Sequence, residues 1–440
     1  MVSHGLEVKN MKRIRITLWL VILPAIATLS LAARAAAQTV VVGTGNPDID
    51  IPAVQAAVDQ GGDVVLKGHF SFDRSPTIPT APAGNPPAIV LVSKAVAISG
   101  AREDHDDDGE LTSIYAGTIP FYVEAPGAQV SIQGLRFIRP KGVAVRVYAV
   151  SGLVIASCKI EGTVPVDHGS AGISISTSFN PPTLMSPGKP ENVSGTLFIV
   201  NNVIDVAGGT ALDHTLGVLM FSVGVPGAQV EVYIFENTIR NTTDRSINLY
   251  QIDGRAHIER NVITTGAILG DANVAFGRGT DVIHVTGTGS YLVAGNSVHS
   301  RWAAATGIRV QGQAAEWPII GAVVVDNDVN MDAPEGTVFD ANSAAIDVRG
   351  NAQDNVILNN RIRGRARAAL VVAINQPSMV ATNNRFILNR LTHFEASFAD
   401  VFVGPGVMNT LIVGQGTVDD QGVGTDVVPV ADRGDDKDNR

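Results

Sequence analysis

The chain has few of the residues that define several common protein classes. Only one of its 440 residues is a cysteine, Cys158, which excludes a disulfide framework and a cysteine-rich zinc site. Charged residues make up 17% and aromatic residues 5%, and so little charge is atypical of a coiled coil or a disordered chain. The formal net charge of −10 argues against a nucleic acid held through phosphate contacts. We therefore expect an ordered protein with no nucleic-acid partner.

Residues 1–37 have the pattern of a secretory signal peptide. Three basic residues between Lys12 and Arg15 precede an apolar run from Ile16 to Ala33, and Ala35 to Ala37 offer small residues for cleavage. A transmembrane anchor is the alternative, but the run is only marginally long enough to span a bilayer. No second apolar run of that length follows. The sequence predicts a secreted or periplasmic protein that has no membrane partner after cleavage.

Residues 38–68 are predicted to form an N-terminal cap and a first strand. Asp50 can cap a short helix, Ile51 to Asp59, which stops at Gly61. A strand is expected from Asp63 to Gly68. An array of stacked units needs such a cap, because its first unit would otherwise expose a core and an open edge.

A phrase of apolar residues, an Asn, one variable residue and an Ile or Val recurs from about Val130. Its Asn positions are Asn202, Asn237, Asn261, Asn296, Asn327, Asn360 and Asn384, and earlier copies place Gly134 and Cys158 there. The shortest spacings, such as Asn237 to Asn261 and Asn360 to Asn384, are 24 residues. These spacings predict a minimal coil of 24 residues, which insertions lengthen in the other coils.

A second phrase between the Asn positions alternates apolar and polar residues, and a period of two indicates half-buried strands. It occurs at 172–175, 246–249, 282–285, 307–310 and 345–348. A coil of short strands cannot bury its own apolar face, so coils are expected to stack about 4.8 Å apart. Asn suits the turn because it tolerates the left-handed conformation and its amide can bond to the copies above and below.

These phrases resemble those of the right-handed parallel β-helix repeat proteins, the pectate-lyase-like superfold, and most closely the generic secreted type with Asn-x-Ile coils. The resemblance covers roughly Val40 to Asp420. It implies an all-β fold, a single right-handed parallel β-helix (solenoid) over residues 69–420 behind a short capping helix. Residues 421–440 are expected to be a disordered acidic tail. The resemblance says little about function, because one fold hosts many activities.

Outward residues of the second phrase are expected to form a polar stripe. If the Ile and Val side chains point inward, the outward columns are Asn248, His284, Arg309, Asp347 and Tyr250, Thr286, Gln311, Arg349. Four coils are separated by three spacings of about 4.8 Å, so the stripe is about 14 Å long, which suits two or three sugar rings. Trp317 and insertions near Thr177 and Gly270 could wall a groove across it. The alternative is a solvated outer face with incidental loops.

The stripe predicts a polysaccharide or cell-surface glycan as the partner of a monomeric chain, with Asn248, Tyr250, Gln311, Asp347, Arg349 and Trp317 as binding residues. The family's catalytic phrases are missing; Asp167-His168 matches only the end of the Trp-Ile-Asp-His phrase of pectate lyases. Whether the chain is an enzyme therefore stays open. If it is, we expect β-elimination on a uronate, with His284 or Arg309 as base and Arg245 or Arg349 neutralising the carboxylate. A non-enzymatic surface or adhesin-like solenoid is the alternative.

Two acidic groups outside the stripe have weaker interpretations. Asp104, Asp106 and Asp108 match the front of a calcium loop, but the twelfth position is Tyr115 where that loop requires Glu. A solvated acidic turn is therefore favoured over calcium, and no other cofactor is expected. Asp244 and Asp281 precede second-phrase strands, where turn residues bonding their own backbone are favoured over an acid, a base or an anion clamp.

Overall fold

The computed structural model describes most of the chain between residues 38 and 429. The described ranges are 38–73, 88–101, 111–116, 119–164, 170–176, 192–206, 215–224, 229–266, 280–302, 305–314, 317–333, 335–339, 343–414 and 416–429. The predicted signal peptide, the proposed calcium residues Asp104, Asp106 and Asp108, and the end of the predicted tail lie outside them.

The described residues form one helix and a long series of short strands. The helix is α1, Pro47–Gln60. The strands of the first half are β1 Thr39–Val42, β2 Gly62–Lys67, β3 His69–Phe72, β4 Ala88–Val92, β5 Val96–Gly100, β6 Ser113–Ala116, β7 Ile119–Gln133, β8 Arg136–Ile138, β9 Val143–Ala156, β10 Lys159–Glu161, β11 Ser170–Ser176, β12 Gly195–Val200, β13 Val203–Asp205, β14 Thr215–Val223, β15 Val230–Phe235 and β16 Thr238–Thr242. Those of the second half are β17 Ile247–Ile252, β18 Gly254–Glu259, β19 Val262–Thr265, β20 Thr280–Thr286, β21 Ser290–Ala294, β22 Ser297–Ser300, β23 Ala305–Gly312, β24 Ile319–Ile320, β25 Val323–Val325, β26 Asp328–Met331, β27 Ala344–Gly350, β28 Ala352–Gln353, β29 Val356–Leu358, β30 Arg361–Ala373, β31 Arg385–Ile387, β32 Arg390–Val403, β33 Leu411–Val413, β34 Val418–Asp420 and β35 Asp426–Val428.

The chain winds through three faces in turn, and each strand pairs in parallel with the strand one coil earlier and one coil later. Face 1 contains β12, β15, β18, β21, β25 and β29; face 2 contains β13, β16, β19, β22 and β26; face 3 contains β14, β17, β20, β23 and β27. Long strands such as β30 bend from face 2 into face 3. Parallel pairing on every face confirms the predicted all-β parallel β-helix.

The apolar ladder inside the coil explains why these short strands are stable. In face 3, Ile247, Ile283, Ile308 and Ile346 stack in register and are fully buried. No coil could bury these residues alone, so burial comes from stacking on neighbours. The inward orientation of the second phrase is therefore confirmed.

The corner between faces 1 and 2 is held by a ladder of buried asparagines. Asn261 Oδ1 accepts hydrogen bonds from the backbone N and the Nδ2 of Asn237, both at 3.0 Å, and Asn296 repeats the pattern for Asn261. Each amide also donates to a backbone carbonyl of an earlier coil, as Asn261 does to Ile234. Cys158 occupies one buried position in this ladder, donating its backbone N–H to Asn202 Oδ1.

Three details of the predicted corner were wrong. Asn360 bonds to Asn389, not to Asn384, which pairs instead with Asn355 in a second ladder. In addition, the left-handed conformation belongs to the residue before each ladder Asn, for example Asn359 with φ 53°. Gly134 holds that preceding position, in register with Ser157, and Leu135 stands where the ladder Asn would be.

The N-terminal cap is a longer helix than expected. Helix α1 begins after Asn46, whose side chain accepts a hydrogen bond from the backbone N–H of Asp48, and it ends at Gly61. Asp50 is therefore not the capping residue. It is buried within α1, and its carboxylate accepts hydrogen bonds from Thr44 and from the backbone N–H of Ser71. Asp50 thus fastens the helix to the first coil.

The C-terminal end of the array extends further than predicted. Strand β35 pairs in parallel with β33, so coils continue to Val428, past the expected boundary at residue 420. Among the described residues, no helix is long and apolar enough to cross a membrane.

Candidate functional site

The predicted polar stripe lies on the outer side of face 3. Asn248, His284, Arg309 and Asp347 are in register on four successive strands, β17, β20, β23 and β27. Thr286, Gln311 and Arg349 form the neighbouring column, and Tyr250 follows Leu249, the register partner of Val285. Parallel pairing therefore brings eight side chains from distant parts of the sequence onto one surface.

The first column is buried, although its side chains point away from the core. His284 is 3% exposed, Arg309 7% and Asp347 0%. The expectation of an open stripe is wrong for these residues. Tyr250 and Gln311 are half-buried, and the side chain of Arg349 is 13% exposed. Thr286 of the second column is fully buried. Access to the stripe is therefore confined to Tyr250, Gln311 and Arg349 and to Arg245, whose side chain is 28% exposed.

Arg309 lies at the centre of the stripe and contacts two carboxylates. Its Nε donates to Asp347 Oδ2 at 3.1 Å, and its Nη1 lies 3.0 Å from Asp281 Oδ1. Its Nη2 donates to Thr306 Oγ1 at 2.8 Å. The whole guanidinium is thereby fixed on three sides, as expected for a positioned donor and not for a base.

Two further arginines flank this centre and balance its charge. Arg349 Nε lies 2.9 Å from Asp347 Oδ2. Arg245 Nε lies 3.6 Å from Asp281 Oδ2, and its Nη1 lies 3.4 Å from Asp244 Oδ1. The network therefore contains three guanidinium groups and three carboxylates.

Burial and charge act in opposite directions on the ionisable groups of this network. Burial raises the pKa of Asp281, while the nearby Arg309 and Arg245 oppose that rise. For Arg245, burial acts to lower the pKa, but Asp244 and Asp281 prevail and raise it. Each charge is thus held by its partners, because an isolated buried charge would neutralise.

His284 lies between two amide side chains. Its Nδ1 is 3.1 Å from Asn248 Oδ1, and its Nε2 is 3.2 Å from Gln311 Oε1. Burial, with Arg245 and Arg309 nearby, lowers the pKa of His284 well below its ordinary value of 6.5. The ring is therefore neutral at neutral pH and offers one donor and one acceptor, so one of the two amides must present its NH2 group to it.

An aromatic pair borders the histidine. The rings of Phe221 and Tyr250 stack with centroids 4.8 Å apart, and the ring of Tyr250 meets His284 edge-on at 6.3 Å. Phe221 is 5% exposed, whereas Tyr250 is only half-buried. Tyr250 is therefore the more accessible of the two rings at the margin of the stripe.

The structure does not bring every predicted residue into this group. Trp317 follows β23 in the chain, and its backbone N–H donates to the carbonyl of Ala314. Most of the predicted insertions, including the segments near Thr177 and Gly270, lie outside the described residues. Among the residues that the structure does describe, no group of three or more potential ligands could hold a metal ion.

Three members of the network lie outside the two predicted columns. For Asp244 and Asp281 the sequence favours a turn role over an acid, a base or an anion clamp, and no sequence pattern marks Thr306. Asp281 and Thr306 are register partners on β20 and β23, just before the second phrase begins. Extending the aligned columns by three residues toward the N-terminus reaches Arg245, Asp281 and Thr306, and Asp244 is one residue further.

Comparisons with solved structures find matches at low sequence identity. Tailspike protein 3 of bacteriophage CBA120 is 10% identical, over 88% of this chain and 58% of that one, with a TM-score of 0.37. The Dettilon tailspike protein is 13% identical over 83% and 68%, with a TM-score of 0.39. The Streptococcus pneumoniae surface protein and adhesin PfbA is 11% identical over 89% and 100%, with a TM-score of 0.43. The chain spans little more than half of the CBA120 tailspike.

No family model and no curated protein matches the chain. The likeness to the solved structures concerns the fold alone. The function of the stripe must be argued from its own residues.

Proposed function

We propose that the chain binds an acidic polysaccharide along the face-3 stripe. The observation that carries this proposal is the charge-balanced network around Arg309 on the outer side of a β-helix. Buried ion pairs cost desolvation energy, and they often stabilise a fold no better than apolar residues of similar size would. Stability alone therefore does not account for this network. The network does hold hydrogen-bond donors in fixed positions, which a recognition site requires.

The margin of the stripe offers the groups that would contact a sugar acid. Arg349 and Arg245 have partly exposed side chains. Their guanidinium groups can donate two parallel hydrogen bonds to a carboxylate. Tyr250 supplies part of a ring for the apolar side of a sugar, and Gln311 an amide for hydroxyl groups. The four coils span about 14 Å, which fits two or three sugar rings.

A lyase reaction is the finer proposal for this site. In β-elimination on a uronate, a base removes the proton next to the carboxylate, a double bond forms, and the neighbouring glycosidic oxygen leaves. Neutral His284 is the better base of the two sequence candidates, because Arg309 is engaged by Asp281, Asp347 and Thr306. Gln311 would have to move from His284 Nε2 for this step.

Binding without cleavage is the second candidate, as in an adhesin-like surface protein. It is favoured by the contacts of His284, because both ring nitrogens lie within hydrogen-bonding distance of the side-chain amides of Asn248 and Gln311. Under either proposal the chain acts as a secreted or periplasmic monomer after removal of residues 1–37.

A screen of polymeric substrates tests these proposals together. The purified chain is run through gels that contain polygalacturonate, alginate or neutral dextran, and the same polymers are assayed for new double bonds and new reducing ends. Retardation by an acidic polymer supports binding, and double bonds support the lyase. Retardation without turnover leaves binding alone, and no retardation by any polymer would refute the proposal.

A further inference from the structure

A row of arginines that takes no part in the stripe crosses the outside of face 2. Arginine occupies every second position of β30 from Arg361 to Arg367, alternating with residues such as the buried Ile362 and Ala366. Alternate residues of a strand lie about 6.6 Å apart on the same side. The row is unusual in a chain whose formal net charge is −10.

Two members of this row are neutralised by carboxylates. Arg363 donates to both oxygens of Asp328, with Nη2 at 3.0 Å from each and Nε at 3.2 Å from Oδ1. Arg365 Nε lies 3.1 Å from Glu395 Oε2. These two arginines have partners within the fold.

Arg367 contacts aromatic rings instead. Its guanidinium lies 4.5 Å from the ring centroid of Phe398 and 5.6 Å from that of Phe402. Phe398 is 48% exposed. The end of the row nearest face 3 therefore combines a cation with an open aromatic surface.

Arg361 differs, because its neighbour on the next coil is another arginine. Arg361 and Arg390 are register partners on β30 and β32, and both are exposed. Asp328, the register partner of Arg361 on the preceding coil, is engaged by Arg363. Within the described part of the chain, neither Arg361 nor Arg390 forms an ion pair.

This pair is costly for the fold on its own. Neighbouring strands are about 4.8 Å apart, and like charges directly opposite one another are destabilising. An anion placed between the two guanidinium groups would reverse that effect, because each can donate two parallel hydrogen bonds to a carboxylate or a sulfate.

We propose that Arg361 and Arg390 form a second binding site, separate from the face-3 stripe, for the anionic group of an acidic glycan. A carboxylate or a sulfate ester would lie between the two guanidinium groups, and neighbouring sugars would lie along the row toward Phe398. Nucleic acid fits less well, because the carboxylates of Asp328 and Glu395 interrupt the row while duplex DNA carries a charge about every 1.7 Å.

The site is tested by a double variant and a charge-matched control. Arg361→Ala with Arg390→Ala removes the pair, and Arg255→Ala with Arg260→Ala removes two charges elsewhere, each of which is paired with a glutamate. Affinities for dextran sulfate, polygalacturonate, neutral dextran and a single-stranded oligodeoxynucleotide are measured by calorimetry. We expect the first double variant to lose about tenfold or more in affinity for an acidic glycan. The control should be unchanged.

Three results would overturn the proposal: equal losses in both double variants, no binding of any acidic glycan by the unaltered chain, or tighter binding of the oligodeoxynucleotide than of both acidic glycans. A preference for dextran sulfate or for polygalacturonate would identify the anion as a sulfate or a carboxylate. The loss caused by the Arg361→Ala, Arg390→Ala double change should be the same in the unaltered chain and in an Arg349→Ala background, which separates a failure here from a failure of the stripe.

A stability measurement gives an independent test. Arg390→Glu replaces the like-charge pair by an opposite-charge pair, so it should raise the Tm while lowering the affinity for the acidic glycan as much as the double alanine variant does. Retained binding together with an unchanged Tm would contradict the proposed site, because both results would mean that the two arginines do not interact.

Discussion

Arg309 donates from Nε to Asp347 Oδ2 at 3.1 Å, across two adjacent coils of face 3. Both side chains are buried on the outer side of the sheet, and Asp281 lies on the opposite side of the same guanidinium. The contact couples the strands β20, β23 and β27 through side chains as well as through the backbone.

Removing the central cation should strongly destabilise the fold. Arg309→Met leaves the carboxylates of Asp281 and Asp347 buried with less positive charge to balance them. Breaking a buried ion pair in this way costs about 3–5 kcal/mol. The free energy of unfolding in urea is the measurement. Arg363→Met, which removes a half-exposed ion pair with Asp328, should cost less than about 1 kcal/mol. Equal effects of the two variants would mean that the network is not a buried unit.

His284 should make the stability of the protein depend on pH. Because its pKa is lowered in the fold, the unfolded chain binds a proton more readily as the pH falls through about 6.5. The folded state should therefore lose stability as the pH falls below that value. Asp281 has the opposite effect on stability, because its pKa is raised from 3.8 in the fold. Its protonation therefore favours the folded state as the pH falls toward 3.8.

Urea unfolding between pH 8 and pH 5 measures the contribution of the histidine. The difference in unfolding free energy between the unaltered chain and His284→Gln should shrink toward the acid end, because Gln cannot take up a proton. A difference that stays constant over this range would show that His284 is not held neutral.

The asparagine ladder should be a major source of stability at its corner. Asn296→Ala removes the acceptor for the backbone N–H and the amide of Asn261, both buried. Leaving such groups unsatisfied should cost about 3 kcal/mol in unfolding free energy. Asn359→Gly, at the exposed left-handed position, should change it by less than about 0.5 kcal/mol. A small effect at Asn296 would contradict the ladder.

Cys158 should be chemically inert in the folded protein. Burial raises the pKa of its thiol to about 12, although backbone hydrogen bonds oppose the shift, so the reactive thiolate is scarce at pH 8. Iodoacetamide should modify the chain in urea but not in native buffer, as mass spectrometry can record. Rapid modification of the native protein would contradict the buried position of this residue in the ladder.

The sequence predicted the register of face 3 but not its burial. Asn248, His284, Arg309 and Asp347 could be aligned because each follows an Ile at a fixed point of the alternating phrase, and stacked coils preserve that alignment. Alternation predicts that a side chain points away from the core, but it does not predict whether other side chains cover it. The burial of Arg309 could therefore not be predicted from the second phrase.

The errors at the Asn corner have a different origin. The pairs Asn359-Asn360 and Asn383-Asn384 look alike in sequence, yet they belong to different ladders. A single hydrogen-bonding motif used at two corners makes spacing ambiguous.

The error at the N-terminal helix comes from its first turn. Asp50 lies one residue before the apolar helical pattern and so resembles a cap, whereas Asn46 and Pro47 begin the helix.

The most direct test of the stripe is the affinity of Arg349→Ala for the acidic polysaccharide that retards the unaltered chain most strongly. Arg349 is at the accessible margin, and Arg255→Ala on face 1 is the matched control. In the Arg361→Ala, Arg390→Ala background, which removes the second proposed site, calorimetry should show that Arg349→Ala weakens the remaining binding by about tenfold. It should also show no change for Arg255→Ala. Equal affinities of the two variants would contradict the assignment of face 3 as the glycan-binding surface.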